Sequence, residues 1–154
     1  MAEVGPSVLR ELQSLHTSGW GTNVKPDDVV IPPGWDKLYE RWHYAPAVRD
    51  GDHLRCSGVI GVGPDGTIAP DAQTQFRHAF QRATAILAAA GLDFGDVLEM
   101  TTYHVHLQEH WTTFMQVKDE FVHAPYPTWT AVGVTELARP GALIEVKVTA
   151  RLRS

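Results

Sequence analysis

The segment from Pro70 to Gly91 limits the fold more than any other stretch of this sequence. Phe76, Ala79, Phe80, Ala83, Ile86, Leu87 and Ala90 recur at helical spacing, Pro70-Asp71 opens the run, and Gly91 closes it as a C-terminal cap. A helix with one apolar stripe must bury that stripe against a second layer, and the surrounding sequence supplies mostly strands. Residues 42–48 and 53–62 read as strands joined by the turn Arg49-Asp50-Gly51-Asp52, and Pro64-Asp65-Gly66 makes the next turn. Residues 97–107, rich in Thr, Val and Tyr, form a third strand. Trp111, Phe114, Met115, Lys118, Phe121 and Val122 mark a second amphipathic helix, ended by Pro125 and Pro127. Residues 128–134 and 143–152 are the last strands, separated by the Ala138-Arg139-Pro140-Gly141 turn. Two helices against five or six strands cover one sheet face only. The expected fold is an α+β two-layer sandwich, a mixed sheet with two helices on one face. In residues 142–152 the apolar Leu143, Val146, Val148, Ala150 and Leu152 mix with Glu145, Lys147 and Arg151, an alternation that looks incomplete. That predicts burial of the second face against other subunits in a closed ring.

Residues 1–36 differ from the rest and read as an N-terminal extension to a domain over 37–154. Val8, Leu9, Leu12 and Leu15 share one face of a short helix after Pro6, and Gly19-Trp20-Gly21 stops it. Pro26, Pro32, Pro33 and Gly34 surround Val29, Val30 and Ile31, which suits an extended arm or edge strand. The chain has 154 residues, 44% hydrophobic and 20% charged, enough for one domain core. No apolar run approaches the roughly 20 residues of a membrane span, and the N-terminus lacks the pattern of a secretory signal. Cys56 is the single cysteine, which excludes an intrachain disulfide and fits a reducing cytoplasm. The formal charge is -5 with no Lys/Arg run, so nucleic acid is a disfavoured partner.

Several side chains could carry chemistry. His104 and His106, two apart on a strand, would share a face, with His110 four residues on; this resembles a metal constellation but lacks an acidic partner at motif spacing, and no metal or other cofactor is expected. Cys56, within a strand, reads as a small buried hydrophobe rather than a nucleophile. No Gly-x-Ser-x-Gly elbow or phosphate-binding glycine motif is present; Gly58, Gly61 and Gly63 read as strand-end and turn glycines. Glu145 interrupts an apolar strand. It is either an ordinary solvent-side residue or a partly desolvated carboxyl whose raised pKa suits proton transfer.

From Trp42 to Arg153 the chain resembles the Rid family, the reactive-intermediate deaminases also called YjgF-type. The resemblance rests on Tyr44, Arg55-Cys56-Ser57-Gly58-Val59-Ile60, Ala88-Ala89-Ala90-Gly91-Leu92 and Gly95-Asp96-Val97. It continues through Met100-Thr101-Thr102, Tyr126-Pro127-Thr128-Trp129-Thr130 and Pro140-Gly141-Ala142-Leu143-Ile144-Glu145-Val146. It implies a chorismate-mutase-like subunit, a homotrimer, and a small-molecule ligand in each cleft between subunits. Carried over, Glu145 matches the glutamate that positions water, Tyr44 the cleft tyrosine and Ser57 the serine of the Ser-Gly pair. Ala131 supplies a backbone N–H beside the ligand, next to Thr130. The family's carboxylate-clamping arginine falls on Trp129, and a position often held by asparagine falls on Met115. Arginine offers a planar fork of donors where indole offers one N–H and an apolar face. The resemblance therefore implies a poor fit for small 2-imino acids and a better one for an aromatic, uncharged or bulkier ligand. Trp129 serves either ligand contact or plain packing, and Arg77, Arg139 or Arg151 is available to restore the charge.

Three functions compete. The first is an enzyme hydrolysing or tautomerising an enamine, an imine or a related carbon–nitrogen intermediate, with Glu145 and Tyr44 catalytic. The second is a non-catalytic trimer that binds a small metabolite or a protein. The third is endoribonuclease activity, against which the acidic balance counts.

Overall fold

The computed structural model describes residues 23–153; the short helix expected at residues 6–16 lies outside them. A seven-stranded sheet carries β1 (Val29–Val30), β2 (Ala47–Asp50), β3 (His53–Cys56), β7 (Ile144–Arg151), β5 (Val97–His104) and β6 (Thr128–Gly133) in that order, and the short β4 (Val59–Ile60) also pairs with β7. β5 and β6 run parallel and the other pairs antiparallel, so the sheet is mixed. Two long helices, α2 (Ala72–Ala89) and α3 (Leu107–Lys118), pack on one face. This is the α+β two-layer arrangement that the sequence predicts. Among the described residues no helix is long and apolar enough to cross a membrane.

Local chemistry sets the helix ends. The Asp71 carboxylate accepts a hydrogen bond from the Thr74 backbone N–H at 2.8 Å, and Gly91 takes φ +75° past the last turn. Between these ends Phe76, Ala79, Phe80, Ala83, Ile86 and Leu87 are buried against the sheet. Gln75, 2% exposed, donates to the carbonyls of Ala69 and Gly141 and accepts from the Leu143 N–H. That one amide ties the turn before β7 to the start of α2 and so fixes where Glu145 emerges. Gly61 allows the same region to close up, because a Cβ there would strike the Gln75 backbone.

The fold departs from sequence expectation in four places. Of residues 42–48 only Ala47 and Val48 belong to a strand. A short helix α1 (Asp36–Trp42) occupies the first part, stopped by His43 in the left-handed region at φ 54°, and β2 starts only at Ala47. The aromatic content of Tyr39, Trp42 and Tyr44 imitates a strand, yet α1 buries no residue and so has no stripe to betray it. Residues 53–62 break into β3 and β4, because Ser57 turns back to donate its backbone N–H to Pro46 and its hydroxyl to Ala45. β5 ends at His104, so His104 and His106 do not share a strand face: His104 is in the core and His106 precedes α3 at φ 57°. Finally, β7 alternates cleanly. Ile144, Val146, Val148 and Ala150 are buried, and Glu145, Lys147, Thr149 and Arg151 point the other way. Along β7 the open face is therefore polar, and this strand offers no apolar stripe for a closed ring to bury. The extended arm does end as expected, with β1 paired at the sheet edge to β2.

Candidate functional site

Glu145 stands on the face of β7 that the helices leave open, opposite Tyr103 of β5 in the antiparallel register. Gly58, in the break between β3 and β4, lies directly against it, so close that a Cβ on Gly58 would collide with the carboxylate. Burial raises the Glu145 carboxyl above its ordinary value, and the Lys147 ammonium on the same strand face opposes that rise. Glu145 borders a broad open hollow of about 990 Å³, which Ser57, Gly58, Tyr103, Arg55 and Lys147 also line. The sequence offers Glu145 as either solvent-facing or desolvated, and it is both: an alternate-face residue partly removed from water by a glycine backbone. Ser57 reaches the hollow with its hydroxyl already committed to the Ala45 carbonyl at 2.7 Å.

Trp129 lies on the other side of the same sheet. Its partner across the parallel β5–β6 pair is Met100, and its indole N–H donates to the Thr102 hydroxyl at 2.9 Å. Thr102 and Val146 are paired in register on the buried face, one residue out of step with Tyr103 and Glu145. Successive strand residues point to opposite faces, so within one protomer the indole and the carboxylate are separated by the sheet. The indole ring stacks on Trp111 at 5.5 Å and 5° and leans on Phe114 at 5.8 Å. Thr102 is in turn 2.8 Å from Nε2 of His104, whose ring meets Phe114 edge-on, and burial lowers the His104 pKa to about 4. What remains of the Trp129 surface borders a smaller pocket of about 350 Å³ beside Met115, Lys118 and Tyr126.

Comparison with known proteins places this architecture. A profile of the family described as endoribonuclease L-PSP matches residues 36–152. The chain belongs to that family. Within it, the L-PSP chain is 46% identical over 124 residues to the RutC family protein YjgH of Escherichia coli strain K12, spanning 80% of this chain and 93% of YjgH. A solved structure of protein YjgH matches it with a TM-score of 0.75 at 44% identity, over 82% of this chain and 96% of that one. The structure of E. coli TdcF with bound serine matches with a TM-score of 0.65 at 30% identity, over 87% and 100% of the two chains. The same relatives make it a member of the Rid family, TdcF being described as a putative reactive intermediate deaminase.

The remaining residues expected at an L-PSP site are scattered. Tyr44, 37% exposed, borders neither hollow. Thr130 points with Thr101 to the open face, and Ala131 pairs with Thr102 on the covered one. Of the three arginines that the resemblance offers as carriers of a substrate-binding charge, Arg77 is held by both oxygens of Glu120 and Arg139 donates to the Gly66 carbonyl. Arg151 stays exposed on the open face opposite His53. Cys56 is buried, its thiol pushed up to about 12 by desolvation, as befits a packing residue. Among the described residues no three His, Cys, Asp or Glu side chains converge on one point.

Two contributors escape a reading by motif. Tyr103 faces the same way as Glu145, a relation visible only through strand register. Lys118 is 6% exposed beside Trp129; its signal was present in the sequence as a lysine inside the apolar stripe of α3.

Proposed function

We propose that this Rid family chain hydrolyses the carbon–nitrogen bond of an imine or enamine, with Glu145 as the group that moves the proton. The single observation that carries this is the partly desolvated Glu145 carboxyl, pressed against the Gly58 backbone with its pKa raised toward the working range of a general base. Water adds to the imine carbon while the carboxylate takes its proton. The same carboxyl then returns the proton to nitrogen, takes the proton of the new hydroxyl group and passes it to nitrogen as the carbon–nitrogen bond breaks, and a carbonyl compound and ammonia leave.

Trp129 and Glu145 occupy opposite faces of one sheet, so a pocket using both requires two protomers. In this reading the open face of one protomer meets the β6 edge of the next within a homotrimer. Glu145, Ser57 and Tyr103 come from one side, and Trp129, Met115 and the neighbouring Thr130–Ala131 backbone from the other. Tyr44 borders neither of the two hollows and takes no part in this proton transfer. Small 2-imino acids are poor substrates in this reading, because Trp129 falls on the position of the clamping arginine and Arg55, which lines the Glu145 hollow, is paired with Asp50.

The test is ammonia release from imines generated in solution. Turnover of 2-iminopropionate should stay near background, and a bulkier imine should be hydrolysed. Glu145→Ala should lower that rate by about 10²–10⁴, the usual share of a positioned acid–base group. No turnover across a varied imine panel, or an unimpaired Glu145→Ala, sinks the proposal; a monomer by light scattering sinks the two-protomer cleft.

A further inference from the structure

Lys118, the last residue of α3, is a lysine where an apolar side chain would be expected, and it is almost wholly buried. An ammonium has three N–H donors, and burial is tolerated only where they find partners. Asp119 Oδ1 takes one at 2.7 Å, from a side chain that is itself 62% exposed. Among the described residues that oxygen is the one hydrogen-bond acceptor Lys118 has. Otherwise the ammonium faces rings, 5.4 Å from the centre of Trp129 and 5.9 Å from that of Tyr126. Aromatic faces hold the charge but leave N–H groups unmet. The pocket of about 350 Å³ opens beside it, with Met100, Met115 and Val122 as its apolar wall.

We infer that Lys118 anchors the carboxylate of the substrate in this pocket, and that the substrate is the imine of a 2-oxo acid with a bulky apolar or aromatic side chain. This rests on the hydrolase reading above and names its substrate class. The positive charge beside Trp129 comes from the end of α3, as a point charge and not a planar fork. A point charge fixes one end of an acid without dictating its plane, so Met115, Val122 and the two rings select by shape and apolar contact. A two-carbon side chain leaves that wall uncovered. A phenyl group covers it.

The probe is phenylpyruvate, the 2-oxo acid that hydrolysis of such an imine leaves, titrated into the native protein beside its methyl ester. Binding is followed by tryptophan fluorescence and by the indole N–H resonance of Trp129. The acid should bind saturably and shift that resonance, and the ester should bind at least about tenfold more weakly, the effect of one lost hydrogen bond to a charged group. Lys118→Met, close in shape and checked for a native melting curve, should lose the acid by the same factor. Absence of binding, equal binding of acid and ester, or full affinity in Lys118→Met overturns the inference. Because the ester comparison uses native protein, a misfolded variant cannot rescue it. Glu145→Gln separates the two readings: it should bind phenylpyruvate normally while losing turnover. Acid-selective binding in a protein that hydrolyses no imine supports Lys118 and removes the hydrolase, whereas imine turnover undiminished in Lys118→Met does the opposite.

Discussion

Along β5 and β7 the two faces of one sheet follow different rules. On the covered face Met100, Thr102, His104, Ile144, Val146 and Val148 are all buried, and even the polar members are locked, Thr102 between the indole of Trp129 and the imidazole of His104. One residue along, Thr101, Tyr103, Glu145 and Lys147 keep contact with water, and no donor reaches the Glu145 carboxylate among the described residues. The contrast teaches where chemistry can reside. A group whose bonds are all met is held and inert, and a group half removed from water with bonds unmade is ready to take a substrate or a proton. Glu145 on one face fits this description, and Lys118 at the margin of the other, with one acceptor for three N–H groups, comes near it.

The largest consequence is mechanical. Phe114 is fully buried and touches Phe76, Phe80, His104 and Trp129. Phe114→Ala should therefore cost about 3–5 kcal/mol of stability, through lost apolar burial and the cavity left behind. Lys147→Ala on the open face should change it by less than about 0.5 kcal/mol. Urea denaturation of both variants measures the gap. If the two costs are alike, the covered face is not the structural one.

Much of this division was legible in the sequence, because it is written locally. The apolar stripe of α2, its Asp71 start and its Gly91 end are all decided within one or two helical turns, and the β7 alternation follows once its first residue is placed at Ile144 rather than Leu143. Glu145 stood out for the same local reason. The helix α1 did not, since a helix that buries nothing carries no periodic signature. Nor could any motif show that Trp129 and Glu145 face apart. That parity passes through two strand pairings, one parallel and one antiparallel, and each register is a long-range fact. Lys118 lay between: the stripe exposes it as an anomaly, but only the packed ring of Trp129 gives the anomaly a use.

A smaller effect, on the order of 3 kcal/mol for His104, separates the faces by pH. Burial holds His104 at about 4, below its ordinary 6.5, so the folded state prefers the neutral ring. Its contribution is complete above pH 6.5 and is lost as pH falls toward 4. Glu145 has the opposite sign. Its carboxyl is raised, so its contribution is complete below the ordinary carboxylate value and is lost as pH rises through the folded value. Denaturation midpoints measured from pH 7.5 down to 4 should fall for the native protein and fall less for His104→Gln. Glu145→Gln should be the more stable form near neutral pH, with its advantage vanishing in acid. Parallel curves for the native protein and His104→Gln would mean that the buried imidazole does not set the acid limit.

The finest comparison is between neighbours on β6. Trp129→Phe removes the indole N–H from Thr102 but leaves an aromatic ring over Trp111 and Phe114, and Thr102 keeps His104 at 2.8 Å, so no buried oxygen is stranded. The expected cost is that of one ordinary hydrogen bond, about 0.5–1.5 kcal/mol. Thr130→Ala, one residue on and facing the open side, should cost less than that. A double-mutant cycle pairing Trp129→Phe with Thr102→Val assigns the energy, because a coupling near the whole single-variant cost places it in the hydrogen bond, and a coupling near zero places it in the ring stack. The second outcome would mean that Trp129 serves here through its ring surface, and that the N–H merely found the nearest oxygen.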